Sequence, residues 1–277
     1  MALGDIKQGY MGFLSKGSDK VRCTSFSIQP VQNALFYDHT KGLRDGSVNN
    51  IFDQKSEQGA INSQKIFMRP GVKIYQGNIS FPATENSSSV FFDEAKYGGS
   101  FDNLTFRYTC GIARKMDRCR VNGYTFNAVA GDLVNISVDI IAASMEDVTS
   151  DDIYDLEEKL ITWDDISTSL GDSINGISFS VNNNCSPIYT AGNNAENGLN
   201  PYKIRVGMQE VTGFISYYNK GVDLSFLESS DKESLSISMD DFSVNLNVVF
   251  RPQEREGSVG PIISSRPFVG VERALGT

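Results

Sequence analysis

The stretch CRVNGYTFNAVAGDLVNISVD, residues 119–139, carries the clearest structural pattern in this chain. It holds two runs in which apolar and polar residues alternate, separated by Gly131 and Asp132. Alternation with a period of two is typical of a β-strand with one buried and one wet face, and a Gly-Asp pair is a turn signal. The stretch therefore predicts antiparallel β-structure.

The same alternation recurs along the chain, in short runs separated by Gly, Asn, Asp and Pro. The clearest runs lie at residues 104–110, 134–140, 177–181 and 242–250. Several short strands of this kind, bounded by turn residues, indicate a mainly β protein whose sheets have one solvated face.

One segment departs from the β pattern. Between residues 144 and 160, Val148, Ile153, Leu156 and Leu160 recur near the helical period amid seven acidic residues. This spacing predicts a short amphipathic helix whose acidic face is exposed to solvent.

Three short segments of the first half resemble segments of the second half in the same order. Residues 25–28 resemble 178–181, residues 77–81 resemble 213–217, and residues 134–138 resemble 244–248. A conserved order with a shrinking offset favours two tandem copies of one β-fold, the first with longer connections. A single irregular sandwich is the alternative, because alternating strands resemble one another by chance.

The expected organisation follows from these patterns. It comprises a first β domain at residues 1–143 with a long loop at 29–69, a connecting helix at 144–160, a second β domain at 161–250 and an extended arm at 251–277. The arm contains Pro252, Pro261 and Pro267, so we expect it to lie on a neighbouring chain or free in solvent rather than in the middle of a sheet.

The composition of the chain argues against several classes of function. Twenty-five Lys and Arg stand against 34 Asp and Glu, a net charge of −9, which argues against a protein that grips nucleic-acid phosphates. No apolar run reaches the length of a signal peptide core or a membrane span, so we expect neither secretion nor a membrane. The four cysteines form no CxxC pair and are expected as buried free thiols.

The sequence offers no catalytic site, and we predict that the protein is not an enzyme. His39 is the single histidine, which excludes a histidine-rich metal site and leaves only a poorly placed base for a triad. No phosphate-binding or dinucleotide-binding glycine loop is present, and the Asp pairs are too numerous in an acidic chain to be specific. We therefore expect no catalytic residue, no metal and no cofactor.

Residues 119–139 resemble the part of bacteriophage tail tube proteins that reads Cys-x-Val-Asn followed by Gly-Asp-x-Val-x-x-Ser. A second similarity runs from residues 160–165 through the Asn-Asn loop at 177–184 to the Glu-Val-Thr-Gly segment at 208–216. The resemblance implies a structural virion protein built as two tail-tube-like sandwich or barrel halves. Its sheets would join across subunits into a ring, and stacked rings would form the tube that conducts DNA from capsid to host cell.

The resemblance also implies partners and location. The chain would bind itself, as a trimeric pseudo-hexameric ring by preference or as a hexamer, and would meet a tail sheath, a tape measure protein and baseplate or terminator proteins. DNA would pass without specific binding, and no membrane is involved. The protein would reside in the virion tail after assembly in the host cytoplasm.

Three groups of residues are candidates within such a tube. The lumen-facing candidates are Asn135, Ser137, Asp139, Ser243, Asn245 and Asn247. The candidates for contacts between rings, on the long polar loops, are Lys41, Arg44, Asp45, Lys55, Glu57, Asn193, Asn194 and Glu196. The subunit-interface candidates are Arg114, Lys115, Arg118 and Arg120, which could instead form a solvated turn.

Two other functions stay open from the sequence. A tube-initiating or baseplate hub protein can share the duplicated fold without polymerising indefinitely. A receptor- or carbohydrate-binding β module at the tail tip would use the polar loops as its binding surface.

Overall fold

The computed structural model describes residues 12–38, 66–107, 112–149, 158–170, 174–190, 200–218, 231–239, 242–251, 263–271 and Leu275. Within these ranges the chain is mainly β, as the alternation predicts, with one short α-helix, α1, at Phe92–Tyr97. The strands are β1 Gly12–Lys16, β2 Asp19–Cys23, β3 Ser25–Asp38, β4 Ile66–Pro82, β5 Ser100–Phe101, β6 Leu104–Arg107, β7 Ile112–Val129, β8 Asn135–Thr149, β9 Ser167–Thr168, β10 Ile174–Asn182, β11 Ser186–Ile188, β12 Lys203–Arg205, β13 Glu210–Tyr218, β14 Glu233–Met239, β15 Phe242–Phe250 and β16 Ile263–Gly270.

Fourteen of the described strands form one antiparallel sheet, and β11 and β12 form a separate hairpin. The long strand β7 pairs with more strands of this sheet than a single neighbour on each side. One of its edges pairs with β8, while the other edge pairs in turn with β6, β5 and β10. The stretch at residues 119–139 thus contains the β7–β8 turn.

The same strand order occurs twice in this sheet. The first set lies in the order β3-β4-β8-β7-β6, and the second lies in the order β10-β13-β16-β15-β14. In both sets the first two strands along the chain pair, the fifth strand follows, and the fourth and third complete the order. Pairing of β7 with β10 joins the two sets.

Alternate residues of these strands form one hydrophobic core that spans both sets. Phe126 of β7 stacks with Phe179 of β10 at a centroid distance of 5.3 Å and with Phe242 of β15 at 5.9 Å. From α1, Phe92 packs edge-on against Tyr124 and Phe242. Full burial of one such side chain stabilises a fold by roughly 1.5–3 kcal/mol, so these rings tie the two sets together.

The predicted helix at 144–160 is wrong at its start, because residues 144–149 belong to β8. Residues 150–157 lie outside the described part of the chain, and 158–160 are not helical. The acidic residues Glu146 and Asp147 stand opposite Lys115 and Arg114 of β7. Cross-strand pairing with this basic segment overrides the helical spacing, since opposite charges on facing strands favour the ladder.

The predicted C-terminal arm at 251–277 is also wrong, because β16 lies between β13 and β15. Pro267 does not exclude a central strand here. The carbonyl of Pro267 accepts a hydrogen bond from the Arg251 N–H at 2.9 Å, so it points toward β15. In an antiparallel strand the nitrogen and the carbonyl of one residue point to the same edge. The ring nitrogen of Pro267 therefore also points toward β15, at the place where β15 ends. The missing donor therefore does not face the ladder with β13.

The loop predicted at 29–69 is shorter than expected. Residues 29–38 continue β3 and residues 66–69 begin β4, which together form a long hairpin. Residues 39–65 lie outside the described part of the chain. The β11–β12 hairpin lies on the opposite face of the sheet from the main core, where Ile204 clusters with Ile141 and Ala143.

Candidate functional site

On eight strands of the sheet, namely β3, β4, β7, β8, β10, β13, β14 and β15, the face that points away from the core is lined mainly by hydroxyl and amide side chains. These residues, called the polar face from here on, alternate with core residues along eight strands. They are Ser25, Ser27, Gln76, Asn78, Ser80, Thr125, Asn127, Asn135, Ser137, Asp139, Ser178, Ser180, Asn182, Glu210, Thr212, Ser216, Ser234, Ser236, Ser238, Ser243, Asn245 and Asn247. Apolar residues such as Phe214 interrupt this face on β13 and β16.

Side chains of the polar face bond to one another across neighbouring strands. The Asn78 amide donates to the Asp139 carboxylate at 2.7 Å, and Ser80 donates to Ser137 at 3.3 Å. Thr125 and Ser180 share a hydrogen bond of 2.9 Å across the β7–β10 junction. Because these groups partly satisfy each other, the face needs fewer hydrogen bonds from a ligand.

Gly123 makes room for the carboxylate on this face. A Cβ at Gly123 would lie 2.9 Å from one carboxylate oxygen of Asp139, which stands directly opposite in the ladder. Gly123 belongs to the stretch at residues 119–139, and its lack of a side chain leaves room for the Asp139 carboxylate, which accepts a hydrogen bond from Asn78 on β4.

Charge is almost absent from the polar face. Asp139 and Glu210 are its only ionisable members, and neither is basic. Phosphate-binding surfaces recruit Lys and Arg because release of condensed counterions supplies the affinity. The residues of the polar face therefore lack the side chains on which phosphate-binding surfaces depend.

The six lumen-facing candidates all point away from the core, but they lie on two parts of the sheet that face each other across it, because Phe242 of β15 stacks on Phe126 of β7. Three lie on β8, namely Asn135, Ser137 and Asp139, and three lie on β15. Sequence reasoning missed the contributions of the other strands. The same alternation was readable in Thr125 and Asn127 of β7 and in Ser178 and Ser180 of β10, but it did not reveal which strands are neighbours.

The basic cluster lies within β7 and finds acidic partners in its own chain. Arg114 pairs with Asp147 at 3.0 Å, and Lys115 pairs with Glu146 and Asp117 at 3.4 and 3.2 Å. The hydrogen bond that Lys115 donates to the Asp117 carboxylate contributes most to raising the pKa of Lys115 above its usual range. A contact with another subunit stays a prediction for this cluster.

The two other basic residues hold peripheral segments. Arg118 donates to the Pro201 carbonyl at 3.2 Å, and Arg120 donates to the carbonyl of Gly98, which follows α1. The predicted inter-ring residues Lys41, Arg44, Asp45, Lys55, Glu57, Asn193, Asn194 and Glu196 all lie outside the described residues.

The Asn-Asn motif acts as a polar junction at the end of β10. Asn183 is fully buried, and its amide donates to the carbonyls of Ala95 and Val121, both at 3.0 Å. Its oxygen accepts a bond of 2.9 Å from Gln209. One side chain thus connects α1, β7 and the start of β13.

The described residues contain no group of three or more His, Cys, Asp or Glu placed to hold a metal ion. Cys23 and Cys119 are buried free thiols as expected, Cys185 is half-buried, and Cys110 lies outside the described part. Within that same part, no helix has the length and apolarity needed to cross a membrane.

Comparison with known proteins identifies a family for the chain. A search of curated proteins gave no match. The family model described as phage tail tube protein matches residues 53–270, which cover most of the strands described above. The chain therefore belongs to the phage tail tube protein family.

Proposed function

We propose that this chain polymerises as stacked rings into a hollow tube and that its polar face lines the lumen through which DNA passes. Family membership makes it a phage tail tube protein, indicates a place in the virion and suggests a structural rather than an enzymatic role. The ring, the lumen and the passage of DNA are the proposed parts.

The polar face is the observation that supports this function. DNA presents one negative charge per ~1.7 Å of its axis, so a lumen with Lys or Arg on its wall would hold it. The face offers hydroxyls, amides and two carboxylates instead. Such a wall stays wet, repels phosphates weakly and gives them no ion pair.

The repeated strand order supports a duplicated subunit. It matches β3 with β10 and β4 with β13, as the first two sequence similarities predict. In the repeated order β15 corresponds to β7, whereas the third sequence similarity, of residues 134–138 to 244–248, matches β15 with β8. That third similarity therefore reflects only the alternation that strands have in common. With two equivalent halves in each chain, three chains form a pseudo-sixfold ring, which we propose over a ring of six chains.

Site-directed labelling of assembled tubes tests the lumenal position. Asn135→Cys places a thiol on the β8 part of the polar face, and Asp93→Cys places one on α1, on the core side of the sheet. Both positions are exposed in the single chain. In tubes, a small maleimide should modify both, whereas a maleimide on a polymer too large to enter the tube should modify only the thiol at position 93.

Labelling is counted above that of the unsubstituted chain, because four native cysteines are present. Equal modification of both thiols by the large reagent in intact tubes would contradict a lumenal polar face. Native mass spectrometry of the ring gives either three or six times 30.5 kDa and decides the number of chains.

A further inference from the structure

We infer that the β11–β12 hairpin and the sheet beside it form a phosphate-binding surface whose ligand is the backbone of DNA. The surface, called the basic patch from here on, consists of Lys203 and Arg205 of β12 and of Arg118 and Arg120 of β7. The choice of DNA as the ligand rests on the proposed function, whereas the affinity for phosphate rests on these four side chains alone.

The hairpin lies with one face on the sheet. Ile204 is buried and clusters with Ile141 and Ala143 of β8, on the side of the sheet that points away from the core. Because side chains alternate along a strand, Lys203 and Arg205 on either side of Ile204 point the other way, and both are exposed. The hairpin therefore presents two cations away from the sheet.

Two cations of β7 lie beside this hairpin. Arg118 donates to the carbonyl of Pro201, just before β12, at 3.2 Å. Arg120 precedes Val121, whose carbonyl accepts a hydrogen bond of 3.6 Å from the thiol of Cys185, just before β11. The charge of Arg120 also opposes the rise in the pKa of that thiol, as expected for a cation close to it. Both strands of the hairpin thus have an arginine next to them.

In the part of the chain that the structure describes, no carboxylate forms an ion pair with these four cations. Residues 184–190 and 200–209, which contain the hairpin strands, include no Asp or Glu. Asp102 accepts the backbone N–H of Arg118 and not its guanidinium. Arg118 and Arg120 each use one of five guanidinium N–H groups on a neutral carbonyl, so the remaining donors are available to an anion.

The basic patch continues the polar face along β8. Asp139 is the last polar-face residue of this strand, and Ile141 and Ala143, which the hairpin covers, follow it at alternate positions on the same side. A duplex that moves along the β8 part of the polar face would therefore meet the hairpin next. Since the polar face has no basic residue, phosphate contacts would be confined to this one end of it.

Two features favour phosphate over the carboxylates of an acidic protein as the ligand. Arg205 stands opposite Ser186, and the exposed Tyr202 adjoins Lys203, so hydroxyl donors lie beside the cations. Arg, Lys, Ser and Tyr are all common contacts of DNA phosphates. A duplex also presents a charge every ~1.7 Å of its axis, so several cations can each meet a phosphate whatever the base sequence.

Fluorescence anisotropy of a short labelled DNA duplex, titrated with the whole chain, tests this surface. If all four cations contact phosphates, log affinity should fall with log salt concentration with a slope of about −3.6. Lys203→Gln/Arg205→Gln should reduce that slope by about 1.8 and weaken binding more than about tenfold at about 50 mM salt. Both side chains point away from the sheet, so the fold should persist, and a thermal melt verifies it.

Arg114→Gln/Lys115→Gln is the matched control. It removes the same two positive charges from the chain, but these cations are already paired with Asp147 and Glu146. Its affinity for the duplex should change less than about twofold. Equal losses in the two variants would mean that only net charge matters and would overturn the basic patch.

The remaining outcomes separate this inference from the proposed tube. Tubes that form normally from a chain with no salt-dependent affinity for the duplex would overturn the basic patch and leave the proposed function intact. Binding of polyglutamate in preference to the duplex would point to an acidic protein and would also overturn it. Absence of any ring or tube would overturn the proposed function and with it the choice of DNA, whereas a loss of duplex binding in the 203/205 variant would still support a phosphate-binding surface.

Discussion

The ring of Phe268 lies so close to Gly213 that a Cβ at position 213 would be 2.3 Å from its Cζ atom. The same Cβ would be 2.4 Å from the carbonyl oxygen of Ser178 on β10. Gly213 ends the Glu-Val-Thr-Gly segment by which the sequence resembles tail tube proteins. Its role is steric, because it lets the Phe268 ring cross β13 and enter the core.

Replacing Gly213 with Ala should therefore destabilise the fold. Overpacking of a filled core costs about 1–3 kcal/mol, and here the Cβ meets backbone as well as a ring, so we expect the upper end of that range. The free energy of unfolding from urea titration measures it. Gly99→Ala is the matched control, since its Cβ would meet only the Glu94 Cγ at 3.9 Å and should change stability by less than about 0.5 kcal/mol. Equal effects of the two substitutions would contradict the steric role.

Asn183→Ala should cost about 3 kcal/mol of unfolding free energy. The substitution removes three hydrogen bonds of the buried amide, those that it donates to the Ala95 and Val121 carbonyls and the one that it accepts from Gln209, and each contributes about 1 kcal/mol. The control Asn127→Ala removes a half-exposed amide on the polar face and should be far milder. A loss below about 1 kcal/mol at position 183 would mean that water replaces the missing bonds.

The sequence predicts where the strands lie better than it predicts which strands pair with each other. Phe242–Phe250 alternates so regularly that its strand is confirmed from end to end. The helix at 144–160 failed because the charges of residues 146 and 147 are satisfied by facing strand residues, a long-range contact that local spacing does not reveal. The arm at 251–277 failed because proline is forbidden only where its missing N–H would face a partner, and that depends on where β15 ends.

For the candidate site, too, the sequence predicts which residues face solvent but not which strands lie next to each other. Alternation sufficed to assign Asn135 and Asn245 to a solvated face. It could not reveal that β8 and β15 share one continuous sheet, since this depends on the β7–β10 and β13–β16 ladders. The hydrogen bonds of Asn183 are likewise not predictable from the sequence, although the Asn-Asn motif is part of the resemblance to tail tube proteins.

The cysteines should differ in reactivity in the folded chain. Burial raises the pKa of Cys23 to about 12 and that of Cys119 further, while the half-buried Cys185 thiol has a more modest rise opposed by Arg120. At pH 8 the thiolate fraction of Cys23 is then only about one part in ten thousand.

Alkylation with iodoacetamide at pH 8, followed by peptide mapping, should therefore modify Cys185 well before Cys23 or Cys119. In urea at a concentration that unfolds the chain, the three should react at similar rates. Early modification of Cys119 in the folded protein would show that β7 opens locally at the position where β5 pairs with it.

The Asp165 carboxylate should make the free energy of unfolding depend on pH in the acidic range. It accepts hydrogen bonds from the Thr162 N–H at 2.9 Å, from the Thr162 hydroxyl at 3.0 Å and from Lys159 at 2.9 Å. The backbone bond from Thr162 contributes most to lowering the pKa of Asp165, from 3.8 to about 2. Because the folded-state pKa is depressed, the carboxylate stabilises the fold fully above pH 3.8, and this stabilisation is lost as the pH falls through about 2.

Asp165→Asn removes the ionisation and weakens the bonds that close the turn between the two sets of strands. The variant should melt at a lower temperature than the unsubstituted chain at pH 6, and the difference should shrink between pH 3.8 and 2 because the native carboxyl becomes neutral there. Asp164→Asn, at the exposed neighbouring position, provides the matched control. A difference in melting temperature that stays constant down to pH 2 would mean that the side chain stabilises the turn by its shape and not by its charge.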